Sequence, residues 1–158
     1  MEDLKKQIKG WLIFFIAALV ISGLTAIPVK PEINFLYRMT GDIGFVQSWM
    51  EKLHDGITET ADKYPFLFYG YDWLAFAHFV LAILFIGPLR DPVRNKWVIE
   101  FGMIACLLII PFALVFGHFR GIPFWWRLVD CSFGIGGLVA LIICYRKIYR
   151  LEQFSDEN

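Results

Sequence analysis

The chain carries no net charge, because its fifteen lysines and arginines are matched by fifteen aspartates and glutamates. It therefore lacks both the basic footprint of a nucleic-acid binder and a polybasic membrane tail, and nucleic acid is set aside as a partner. Cysteine is scarce: Cys106, Cys131 and Cys144 form no Cys-x-x-Cys pair, and all three lie in apolar runs. They read as small buried hydrophobes rather than as a zinc ribbon or a disulfide scaffold. Cys131 and Cys144 would stand ~20 Å apart on one helix, beyond disulfide reach, while a pairing of either with Cys106 stays open. Gly-rich phosphate loops, Gly-x-Ser-x-Gly, His-Glu-x-x-His and carboxylate pairs at catalytic spacing are all missing, so no common enzyme motif is present.

What the chain has in excess is apolar surface. It is 58% hydrophobic and 18% aromatic, with a mean hydropathy of +0.56, which is a bilayer protein's composition. Four apolar runs predict transmembrane helices at residues 11–28, 72–89, 97–117 and 126–146, each just long enough to cross a hydrocarbon core ~30 Å thick. The run at 11–28 follows Lys5, Lys6 and Lys9 like a signal peptide. Its best cleavage site, Leu24-Thr25-Ala26, puts leucine where a small residue is required, so the helix is expected to stay.

Residues 29–70 are charged and proline-containing and predict a segment outside the membrane. Pro28 and Pro31 suggest an extended exit from the first helix. Within the segment Val46, Trp49, Met50, Leu53 and Ile57 recur at three and four positions, opposite Gln47, Glu51, Lys52, Asp55 and Glu59. This predicts an amphipathic helix capped by Thr40 or Asp42. Its acidic polar face suits a lid packed on protein better than a helix lying on lipid headgroups. The fold class expected is all-α: one membrane domain, a four-transmembrane-helix bundle with an extracytoplasmic amphipathic helix between its first two spans.

Nine basic residues, Lys5, Lys6, Lys9, Arg90, Arg94, Lys96, Arg146, Lys147 and Arg150, flank the spans on one side, against six on the other. The positive-inside rule then places both termini in the cytoplasm of a cell inner membrane and residues 29–70 outside. The basic turn Gly87–Lys96 reads as a plain hairpin in which Asp91 or Asn95 caps the next helix. Small residues mark two strips: Ala18, Ser22 and Ala26 in the first span, and Ser132, Gly136, Ala140 and Cys144 in the last, with Gly134 and Gly137 alongside. The second strip predicts a tight helix contact within the bundle, or a seam for a second copy or a partner in a membrane complex.

The candidate site lies at the outer rim. Asp72 opens the second span, His118 sits at the outer end of the third, Arg120 lies in the turn between the last two, and Arg127 and Asp130 begin the fourth. Arg127 and Asp130 share a helix face at i and i+3 and are expected to pair. Tyr69, Trp73, Trp125 and Trp126 surround them, either as an ordinary aromatic belt or as the walls of a ligand site. Paired arginines recognise phosphate or carboxylate, and aromatics at headgroup depth hold an acyl chain, so the fitting ligand is an anionic or polar-headed lipid or hydrophobic metabolite. Arg120 and Arg127 would hold the head group, with Asp72 and Asp130 orienting them or moving protons. His78, ~9 Å deeper than Asp72 and about 120° around the helix, would be the general acid or base, or else simply donate to a backbone carbonyl of a neighbouring helix.

A haem held by His78 and His118 requires two ligands of unequal depth to meet, and a zinc site from His54, His118 and a carboxylate lacks diagnostic spacing, so no cofactor and no metal are assigned. Glu100 and His118 share a face of the third span and could bracket a proton path, although Leu107 and Leu114 offer no polar step between them. Glu100 is therefore read as the partner of Lys96 or Arg94. The other functional readings are a non-catalytic accessory subunit of a membrane complex and a proton or ion carrier using His78 and Glu100.

The stretches Tyr71–His78, Gly87–Asn95 and Trp126–Cys131 resemble a group of small bacterial four-helix inner-membrane proteins with no known activity. The resemblance implies location and topology and carries no chemistry. The helix count is also similar to that of sterol-isomerase-like and sigma-2-receptor-like proteins, an analogy of architecture alone.

Overall fold

The computed structural model describes residues 1–40 and 43–156. Among them the elements are α1 (Glu2–Ala26), α2 (Val29–Met39), α3 (Gly44–Lys63), a 3-10 turn (Pro65–Phe68), α4 (Tyr69–Leu84), α5 (Ile86–Arg90), α6 (Lys96–Phe119) and α7 (Phe124–Asp156), with no strand. Four stretches are long and apolar enough to cross a membrane: Glu2–Ala26, Pro65–Arg90, Lys96–Phe119 and Phe124–Phe154. Multi-pass membrane insertion follows from that length and composition.

The first and last helices extend beyond the apolar runs at 11–28 and 126–146. α1 begins nine residues before Trp11, and α7 has 33 residues, ~50 Å of helix. Lysine and arginine are good helix formers, and nothing in these flanks stops the helix, so the basic segments continue the spans instead of ending them. The second span is interrupted after Leu84 because Pro88 has no N–H for the Leu84 carbonyl and its ring crowds that group.

The chain divides into two compact units, one of Met1–Ala18 with everything from Ala82 onward, the other of Leu19–Leu81. In the first, Ile8, Leu12 and Phe15 form the buried face of α1, and the Phe15 and Phe85 rings lie 4.7 Å apart. Apolar side chains gain little by leaving lipid for protein, so close packing has to supply the association. Glycines permit it. An added Cβ at Gly102 would come within 2.6 Å of Phe85 and 2.7 Å of Leu141, and one at Gly134 within 2.7 Å of the Cys106 carbonyl oxygen.

These contacts move the tight seam of α7 away from the expected strip. Ser132 and Gly136 are exposed, and a Cβ at Gly136 would meet nothing within 4 Å, whereas Ala140 and Cys144 are buried. The close face is the one through Cys131 and Gly134, and Gly137 abuts Cys106 Sγ and the Phe15 ring. All three cysteines are free and buried, Cys131 Sγ pointing at the Ile110 carbonyl.

In the second unit, residues 29–39 are helical, not extended. Pro31 occupies the first turn of α2, where a missing N–H costs no hydrogen bond. α2 and α3 run antiparallel: Lys30 Nζ donates to Asp62 Oδ1 at 2.7 Å, and the Tyr37 ring stacks on His54 at 4.8 Å. Ile33 and Met50 are buried, while Glu51, Lys52, Asp55 and Glu59 are exposed. The apolar side of α3 thus has a neighbour in α2. Thr40 does not cap α3; its hydroxyl donates to the Leu36 and Tyr37 carbonyls and closes α2, and α3 starts after Ile43 without a side-chain cap. Asp42, the other expected cap, lies outside the described residues.

The close approach of α1 to α4 occurs at Gly23, where a Cβ would stand 2.8 Å from the Phe79 ring and 3.1 Å from the Ala75 carbonyl oxygen. Ala18 and Ser22 of the expected strip are exposed. Glycine, lying next to Ser22 on the helix, lets the backbones come nearer than alanine or serine would.

Candidate functional site

The turn joining α6 to α7 is determined by its sequence, Arg120-Gly121-Ile122-Pro123. Gly121 adopts φ +70°, its N–H donates to the His118 carbonyl at 3.0 Å, and the Ile122 N–H donates to the Gly117 carbonyl at 2.9 Å. This is the glycine-terminated Schellman arrangement, which satisfies the last carbonyls of α6, and Pro123 then prevents the helix from resuming. Arg120 is left exposed at the C-cap that follows α6, and His118 is exposed beside the Phe119 ring.

Arg127 returns to α6. A Cβ on Gly117 would fall 2.5 Å from its Cδ and 2.7 Å from its Cγ, so the aliphatic stem lies directly on the glycine. Nη1 donates to the Leu114 carbonyl at 3.0 Å, and the guanidinium carbon sits 5.3 Å from the centre of the Phe124 ring. Nε is buried with no hydrogen-bond partner. The expected pair with Asp130 is not formed: no ion pair joins the two residues, and a backbone carbonyl and a glycine orient the arginine instead. Asp130 and Trp126 are each half-buried, and Trp126 meets Trp125 edge to face at 5.4 Å. Gly117 is the residue that sequence reasoning missed. Its only signal is being the one glycine near the end of an apolar helix that precedes an arginine.

The remaining site residues belong to the other unit. Asp72 is exposed in the first turn of α4, where a carboxylate complements the helix dipole. With Tyr69, Trp73 and Phe76 it lines a shallow hollow of about 230 Å³, and the Tyr69–Trp73 and Trp73–Phe76 ring pairs are edge to face at 5.9 and 5.5 Å. His78 Nδ1 lies 2.8 Å from the Leu74 carbonyl of its own helix, not of a neighbour. A carbonyl only accepts, so Nδ1 carries the proton and Nε2 is the atom left for exchange.

At the opposite end of the first unit, Glu100 forms an ion pair with neither of its expected partners. Lys96 Nζ donates to Glu152 Oε2 at 2.6 Å and lies over the rings of Tyr145 and Tyr149 at 5.1 and 5.4 Å, and Arg94 pairs with Asp91 at 3.6 Å. Asn95 does not cap α6 either. Its amide donates to the Asp91 and Gly87 carbonyls at 2.9 and 3.3 Å and fastens the turn across itself. His54 touches Asp55 at 3.2 Å, and among the described residues no group of three His, Cys, Asp or Glu side chains is placed to hold a metal.

No family model, curated protein or solved structure matches the chain.

Proposed function

We propose that the protein is a cell inner-membrane protein that binds, and processes or shuttles, an anionic or polar-headed lipid or hydrophobic metabolite at the outer membrane–water interface. Both termini would face the cytoplasm, with α2 and α3 on the extracytoplasmic side. Supporting the reading is one observation above all: Arg127 is held by Leu114 and Gly117 without a carboxylate to neutralise it. An arginine oriented in this way loses little freedom on meeting an oxyanion, and planar bidentate recognition of phosphate or carboxylate is its characteristic chemistry. Arg120, exposed at the same turn, supplies a second cation, and Trp126 supplies interfacial aromatic surface. If a proton is moved along α4, Nε2 of His78 is the acceptor, with Asp72 about one and two-thirds turns away on the same helix.

The test is native mass spectrometry of protein purified in a mild detergent. An anionic amphiphile retained by the wild type and lost from folded Arg127→Ala supports the proposal; equal retention by both removes it. A second reading, an accessory subunit of a membrane complex or a homo-oligomer, is favoured by the outward-facing Ser132 and Gly136, which offer another helix a close approach. A co-purifying protein or second copy, lost on Gly136→Leu, would support it.

A further inference from the structure

Three chain segments of the first unit line a half-open hollow of about 470 Å³ that shares nothing with the outer rim. Its polar walls are Lys5 and Lys9 of α1 and Arg90 of α5, and its floor includes Ile8, Pro88 and Leu151, each almost fully buried. Neither lysine nor Arg90 is engaged in an ion pair among the described residues, and the one carboxylate on the wall, Asp91, is engaged by Arg94: it accepts that residue's backbone N–H at 3.1 Å and pairs with its side chain at 3.6 Å. Lys5 and Lys9 are one helical turn apart on the same face, and Ile8 lies on the floor between them, so the cations rim a hollow whose bottom is hydrocarbon.

We infer that this cavity binds the phosphate headgroup of an anionic phospholipid. The size falls within the range of small-molecule sites. Uncompensated cations above an apolar floor, at the end of membrane-spanning helices, match an amphiphile with a phosphate at headgroup depth and a glycerol-acyl portion below it. A soluble anion would use the cations and leave the floor wet. In the orientation proposed above the lipid belongs to the inner leaflet. The cavity shares no residue with the rim around Arg127, so either site stands if the other fails.

The experiment uses the full chain in a neutral detergent with short-chain phosphatidylglycerol, phosphatidylcholine or inorganic phosphate as probes, read by thermal shift and by bound-lipid counting in native mass spectrometry. Phosphatidylglycerol should bind and stabilise, and Lys5→Gln with Arg90→Gln should weaken it by about fivefold per cation removed. Both side chains are exposed, so these changes leave the packing intact. Lys6→Gln removes the same charge from the neighbouring position on α1, outside the cavity, and should leave affinity unchanged. Equal loss in Lys6→Gln would show diffuse surface attraction and overturn the site. Binding of inorganic phosphate as tight as that of phosphatidylglycerol would overturn the lipid assignment, and no preference for phosphatidylglycerol over phosphatidylcholine would overturn both.

Discussion

Lys96 and Glu152 are separated by 56 positions in sequence, yet Lys96 Nζ meets the carboxylate at 2.6 Å and joins the first residue of α6 to the distal part of α7. Both side chains are about three-quarters covered, at 23% and 25% exposure, and the ammonium also faces two tyrosine rings. The ion pair is thus shielded better than an ordinary surface pair and contributes more than the few tenths of a kcal/mol typical there. In a double-mutant cycle with Lys96→Met and Glu152→Gln, the coupling should be about 1 kcal/mol and should shrink only slightly in raised salt. Thermal unfolding in detergent measures it, and zero coupling would show the contact to be incidental.

Two glycines two residues apart on α7 should respond oppositely to alanine. At Gly134 the new methyl meets the Cys106 carbonyl oxygen at 2.7 Å, and a backbone atom has nowhere to go, so Gly134→Ala should destabilise by ~1–3 kcal/mol. At Gly136 nothing lies within 4 Å, and alanine's better helix propensity should leave stability unchanged or raised by up to ~1 kcal/mol. Comparison of their unfolding midpoints decides the packing face of α7.

Gly117 acts on Arg127 without needing to touch a ligand. An alanine there displaces the arginine's flexible stem by collision at 2.5 Å from Cδ, and the chain can yield without unfolding. Gly117→Ala should therefore keep the unfolding temperature within a few degrees while reducing retention of an anionic amphiphile at least as much as Arg127→Lys does. If retention is untouched, the position of the guanidinium is irrelevant to binding.

His78 should show a single neutral tautomer. The 2.8 Å contact to the Leu74 carbonyl places the proton on Nδ1, and nitrogen chemical shifts of ring-labelled histidine report which nitrogen bears it. A protonated Nε2 in the neutral ring would contradict the geometry and remove His78 as the proposed base.

Sidedness is accessible through cysteine labelling, because the three native thiols are buried and supply little background. An impermeant maleimide added to intact cells should modify a cysteine placed at Glu59 and spare one placed at Gln153, both exposed positions. The reverse pattern would invert the proposed topology and assign the basic cavity to the outer leaflet.

Much of this architecture is legible in the residues alone. Four long apolar runs fix four helices able to span, because a backbone in lipid must satisfy its hydrogen bonds within the helix. The three-and-four spacing from Val46 to Ile57 fixes α3, and Arg120-Gly121-Ile122-Pro123 carries a turn in its composition. What the one-dimensional pattern does not contain is partner choice. Arg127 sits three residues before Asp130 and takes a carbonyl from Leu114 instead; Lys96 sits four residues before Glu100 and takes Glu152; the small-residue strips at Ser22 and Ser132 yield to Gly23 and Gly134. Local spacing says which groups are able to meet, but in lipid the helix contacts are settled by where backbones approach most closely, and that is a property of shape shared among several helices. Sequence therefore determined the number, length and apolar character of the spans, and the tertiary structure alone decided which charges were paired and which, at Arg127 and around Lys5, Lys9 and Arg90, were left without an ion-pair partner among the described residues.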